Sequence, residues 1–171
     1  FANALAYLDC SPAEVTWRAG VDVLSFGATK NGALTAEAVI FFDPARAADF
    51  EVRRKRSGHL LSKMRFVAAQ LLAYLEDDLW LRLAARANEL ARRVGAAASA
   101  MLLQPVEANE VFVSLGDQRI AALRAQGFEF YDWGAEAAGQ ARFVVSWNQN
   151  NFDVEALCAA LVALQAESRG S

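Results

Sequence analysis

The chain has 171 residues, 55% hydrophobic and 22% charged, with 10 Gly and 3 Pro, which excludes a disordered, collagen-like or proline-rich linker protein. Seventeen basic residues against 20 acidic ones give a formal charge of −3, so neither a nucleic-acid coat nor an anionic-lipid binder is expected. Two cysteines and a single histidine exclude a disulfide framework and a two-histidine metal site, and the apolar runs are shorter than the roughly 18 residues a bilayer demands.

In chain order, Ser11-Pro12-Ala13-Glu14 carries the signs of a helix start. A serine cap precedes proline at the first helical position, and a glutamate three residues on closes a capping box. Residues 21–26 (VDVLSF) read as a short strand and 36–42 (AEAVIFF) as a second, continuous enough for burial on both faces. Asp43-Pro44 repeats the cap-then-proline sign. From Leu60, the positions Leu61, Met64, Val67, Ala68, Leu71, Leu72 and Leu75 follow the spacing of an amphipathic helix. Leu83, Ala87, Leu90 and Val94 continue it in a second helix, with Arg82, Arg86, Glu89 and Arg93 on another face and Gly95 as the expected stop.

The remainder reads strand (110–115), helix (Asp117 to Gly127), strand (128–133), strand (142–147) and a last helix with the stripe Val154, Leu157, Cys158, Leu161 and Leu164. The expected organisation is an α/β front segment over 1–57, connecting helices over 58–95, and a small α+β lobe over 96–171.

Three basic features are candidates for chemistry. Lys30 lies in Gly27-Ala28-Thr29-Lys30-Asn31-Gly32 between two apolar strands, and between Val21 and Phe42 the other charges are Asp22 and Glu37. A lysine stripped of hydration there has its charged form disfavoured, the condition for a nucleophilic amine. The plainer reading is a hairpin, with Asn31-Gly32 as the turn and the lysine in water. The run Arg53, Arg54, Lys55, Arg56, followed by His59, Lys63 and Arg65, reads as a solvated helix face or as a source of an arginine for a phosphate-bearing ligand. Arg142, sharing a strand face with Val144 and Ser146, either clamps a carboxylate or marks an exposed strand end.

Taken together, these segments resemble the low-specificity threonine aldolases, pyridoxal-phosphate lyases of the aspartate aminotransferase fold type. The matching residues are Phe1-Ala2-Asn3-Ala4, the whole of Val21 to Gly32, the strand Ala38 to Phe42, the stretch Arg54 to His59 with Met64-Arg65, and Arg142 in its strand. The resemblance implies a fold-type I architecture: the end of the large-domain sheet, connecting helices and a C-terminal α+β lobe. It implies pyridoxal 5'-phosphate as cofactor, carried by Lys30. Arg142 is implied to bind the substrate carboxylate, and Arg65 to reach the cofactor phosphate of a neighbouring subunit.

The implied reaction cleaves L-threonine or a related β-hydroxy-α-amino acid to glycine and an aldehyde, in a cytoplasmic homo-oligomer built as a dimer of dimers. No metal, nucleic acid or membrane partner is implied. In the family, an aspartate for the pyridine nitrogen, a stacking histidine and a phosphate loop lie upstream of the residues matching Phe1. The chain is therefore expected to be the C-terminal half of such an enzyme, missing its N-terminal half and inactive alone. The competing expectations are another β-eliminating lyase of the same cofactor class, and a non-catalytic folding or oligomerisation module.

Overall fold

The computed structural model describes residues 1–134 and 139–167 and divides the chain into two compact units, Phe1–Leu83 and Ala84–Ser171. The division falls inside the stretch read as connecting helices, within one continuous helix.

Unit 1 opens with α1 (Ala2–Leu8), which the sequence reading did not anticipate; it is closed by Asp9 in the left-handed region at φ 49°. Half of the expected capping box at Ser11 forms, the Glu14 amide donating to the Ser11 carbonyl instead of its hydroxyl, and no α-helix follows it. Glu14 accepts from the Ser11 amide at 2.8 Å and from its hydroxyl at 2.6 Å, while Thr16 Oγ1 donates to Pro12 O at 2.6 Å. That last bond tightens the chain into turns, and Thr16 leaves helical geometry at φ −124°, ψ −108°.

β1 (Val23–Gly27) and β2 (Glu37–Phe41) pair antiparallel, with Ser25 opposite Val39 and Phe26 opposite Ala38. The expectation that the second strand is buried on both faces fails: Val39 is 42% and Ile40 37% exposed. The sheet holds these two strands among the described residues, and so narrow a ribbon leaves much of its side-chain surface in solvent. Asp43 caps the 3-10 turn Pro44–Ala47 as expected, accepting from the Ala45 amide.

α2 (Phe50–Arg56) carries the basic run, and α3 (Met64–Leu75) begins four residues later than the periodicity predicts. Leu60 and Leu61 precede it and stay half exposed, Leu72 is 72% exposed, and Tyr74 alone of α3 is buried. Helical spacing is local, whereas covering a stripe needs a neighbour. Buried Phe26, Tyr74 and Trp80 form an aromatic cluster in unit 1 with half-exposed Phe1 at its edge, the contacting ring centroids 5.6 to 6.3 Å apart.

α4 (Leu79–Ala97) passes through Gly95, so the expected stop is not one. A Cβ at that position would lie 2.5 Å from Val106 Cγ2, so the missing side chain admits a close neighbour. In unit 2, Leu90, Ala91 and Val94 of α4 pack into one hydrophobic core with the inward residues of a three-stranded antiparallel sheet. Its strands are β3 (Glu110–Ser114), β4 (Tyr131–Asp132) and β5 (Gln140–Val144), with β5 in the centre. β4 is shorter than predicted because Gly127, at φ 91°, and Phe128 still close α5 (Asp117–Ala125), and Phe130 turns inward against Phe143.

α6 (Asn151–Glu167) buries Val154, Leu161 and Leu164 as its stripe predicts. Asn150 caps it, accepting from the Asp153 amide at 2.8 Å. Arg86 donates to Trp147 O and Gln149 O, and Arg93 meets Glu155 at 3.2 Å, so two arginines placed away from the apolar stripe clamp the start of α6. Where β3 runs into α5, the Leu115 and Gly116 amides both donate to Gly139 O at 2.7 and 2.9 Å. A Cβ on Gly139, at φ 76°, would lie 2.5 Å from Gly116 Cα. The predicted loop between Gly134 and Gly139 falls on residues 135–138, outside the described residues.

Candidate functional site

Lys30 sits in the middle of a 3-10 turn, Thr29–Asn31, that leaves the end of β1. The two strands do form a hairpin, but not through a two-residue Asn-Gly turn. The connection is longer, and Asn31 points into the protein with 7% of its surface exposed. Its amide Nδ2 donates to Tyr74 Oη at 2.6 Å and to Trp80 O at 2.9 Å, partners 43 and 49 residues away in sequence. On the other side of the lysine, Thr29 Oγ1 accepts from the Ala36 amide at 3.1 Å and donates to Ala36 O at 3.5 Å. Gly32 takes φ 124°, which lets the chain turn back after Asn31.

The lysine is thus fixed at its backbone and free at its head. Its side chain is exposed and holds no hydrogen bond or ion pair among the described residues. Desolvation by surrounding apolar strands, the condition sought in the sequence, is not met within unit 1. Asn31 takes the inward position of the turn, so its neighbour faces out. What the fold supplies is a rigid base: Tyr74 and Trp80 are 3% and 5% exposed, and both aromatic rings flank Phe26. Burial raises the Tyr74 phenol above its ordinary value, an effect that the Asn31 bond reduces and the Glu37 charge reinforces.

Arg65, the second residue of α3, is exposed, and its guanidinium lies 4.7 Å from the centre of the Phe66 ring with no ion pair among the described residues. Arg53, Arg54 and His59 line an open cavity of about 770 Å³ beneath the Ser25–Val39 face of the hairpin, with Phe50 and Met64. The sequence reading left those three as plain surface residues. Their common placement arises from α2 and the loop after it folding back under β2, which no local pattern reveals.

Arg142 belongs to unit 2. It is not at a strand end but in the middle of the central strand, paired with Phe112 of β3 and Tyr131 of β4. Ala141, Phe143 and Val145 face the core, so Arg142 and Val144 share the outer face as the alternation predicts. The guanidinium carbon is 5.4 Å from the Tyr131 ring centre and 5.3 Å from that of Trp133, and Trp133 meets Phe112 edge-on at 4.6 Å. Nη1 stands 3.7 Å from Glu110 Oε1, while Nε is shielded from solvent without a partner among the described residues. An arginine framed by rings and holding unused donors suits a planar anion such as a carboxylate.

No cluster of metal-ligating side chains occurs among the described residues, and none of their helices is long and apolar enough to cross a membrane. Residues 1–118 match the family described as beta-eliminating lyase. The low specificity L-threonine aldolase of Pseudomonas aeruginosa is 51% identical over 152 residues, covering 86% of this chain and 43% of its own length. That of Pseudomonas sp. (strain NCIMB 10558) is 44% identical over 170 residues, or 97% of this chain and 49% of its own. A solved structure of Leishmania major threonine aldolase superposes with a TM-score of 0.82 at 26% identity, covering 95% of this chain and 49% of that one. The chain spans about half the length of the curated relatives it matches.

Proposed function

The chain belongs to the beta-eliminating lyase family, and on that footing we propose that it is the lysine-bearing part of a pyridoxal-phosphate lyase that converts L-threonine, or a related β-hydroxy-α-amino acid, to glycine and an aldehyde. The observation that carries this reading is the Lys30 turn: an exposed amine with no partner among the described residues, on a backbone pinned on both sides. Such an amine fits covalent capture of the cofactor's aldehyde, because its head is accessible and its Cα is already placed. When bound, the cofactor supplies the electron sink that makes the Cα–Cβ bond breakable.

The chain's own residues then have separate tasks. Lys30 would hold the cofactor through its side-chain amine. Arg142 binds the carboxylate and so helps set which Cα bond is turned toward cleavage. Arg65, exposed and without an ion pair among the described residues, is accessible to a phosphate, and we assign it to the cofactor of a neighbouring subunit. A homo-oligomer, a dimer of dimers with shared sites working in the cytoplasm, belongs to the same proposal. So does the division into the end of a cofactor-binding domain (1–57), connecting helices (58–95) and a small lobe (96–171).

Reductive trapping tests it. The chain holds three lysines, so Lys55 and Lys63 serve as internal references. After incubation with pyridoxal phosphate and borohydride, digestion is expected to find the label on Lys30 ahead of the other two. Equal labelling of all three would overturn the assignment.

A further inference from the structure

The Arg142 guanidinium is charge-balanced by Glu110 without a hydrogen bond among the described residues. Glu110 Oε1, at 3.7 Å from Nη1, lies beyond hydrogen-bond reach but well within Coulombic range. The Nε side of the fork is closed to solvent by the residues around it. The rings of Tyr131 and Trp133 flank the guanidinium, and the side chain as a whole is 28% exposed. An incoming carboxylate therefore enters end-on, at Nη1 and Nη2, and Nη1 is the atom that Glu110 approaches. Glu110 is 40% exposed and opens β3 opposite Val144, so it stands at the rim of the same outer sheet face.

We propose that Glu110 is a positioning residue that competes internally for Arg142, weakening carboxylate binding there. This rests on the reading of Arg142 as the carboxylate site. The substrate carboxylate passes unchanged into glycine, so the competition acts equally before, during and after bond cleavage. Glu110 therefore raises KM and hastens departure of glycine without altering the cleavage step.

The test uses the 171-residue chain, nitrogen-15 labelled, with the Arg142 Nε–H signal followed during titration with glycine and, as a carboxylate-free control, glycinamide. Glu110→Gln keeps the shape and removes the charge, and is expected to bind glycine about threefold more tightly while leaving glycinamide unaffected. Matched thermal unfolding of the two proteins excludes a fold defect. If Arg142 responds to glycine equally in both proteins, the role of Glu110 is overturned and the carboxylate site stands. If Arg142 responds in neither, the carboxylate site is overturned and the proposal with it.

Discussion

Asn31→Ala tests whether the lysine turn is held from within. The substitution removes two hydrogen bonds from a site where donor and acceptors are all enclosed: Asn31 to Tyr74 Oη at 2.6 Å and to Trp80 O at 2.9 Å. Each such bond contributes about 1 kcal/mol net, and stranding the buried phenol adds part of a desolvation cost of about 1–3 kcal/mol. The Trp80 carbonyl has a second lone pair and loses less. Together with the small void left by the amide, the expected loss is about 2–4 kcal/mol of unfolding free energy in unit 1.

Denaturant titration reads it out by tryptophan fluorescence, with Trp133 and Trp147 replaced by Phe so that Trp17 and Trp80 carry the signal. A companion Tyr74→Phe variant completes a double-mutant cycle, with an expected coupling of about 1 kcal/mol between positions 31 and 74. Under about 0.5 kcal/mol of loss, or strict additivity of the two variants, would refute the reasoning. The turn would then be held by its Thr29–Ala36 bonds and its backbone bonds to Ala28.

Two further outcomes follow from packing and titration. Gly95→Ala gains roughly 1 kcal/mol of helix propensity but drives a methyl against Val106, where overpacking costs about 1–3 kcal/mol, so a net loss is expected and Val106→Ala should reverse it in chemical unfolding. The Tyr74 phenol is held above its ordinary value of about 10, chiefly by burial, so the folded protein keeps its proton to higher pH than the unfolded chain. Its contribution to stability is complete below pH 10 and is lost as pH rises through the folded value. Tyr74→Phe should flatten that alkaline decline, and an unchanged slope would show that another group causes it.

The sequence revealed some elements and hid others for identifiable reasons. The last helix was legible because Val154, Leu161 and Leu164 repeat at a helical period and the core they meet lies in the same unit. The alternation around Arg142 was legible as a face, but its place on the central strand was not, since strand order depends on pairings with residues 112 and 131. The serine–glutamate box formed one of its two bonds and gave no helix: the Ser11 hydroxyl donates to the Glu14 carboxylate, and Thr16 draws the following carbonyl into a turn. Asn31 was read as half of an exposed turn dipeptide. An Asn-Gly pair looks the same locally whether its amide meets water or a tyrosine 43 residues on, and only the tertiary partner decides. Gly95 likewise resembled a helix stop, when its use is to admit a valine.

The backbone crossing of Gly116 and Gly139 carries a consequence for how this lobe can diverge. Each position takes positive φ, and the two alpha carbons are too close for a methyl on Gly139. Gaining a side chain at residue 139 would demand a prior shift in the neighbouring strand end, whose amides are anchored to that same peptide oxygen. Residue 139 is therefore expected to stay glycine across descendants unless the whole corner is rebuilt, while Gly116, where an added Cβ would meet nothing, is held by its positive φ alone.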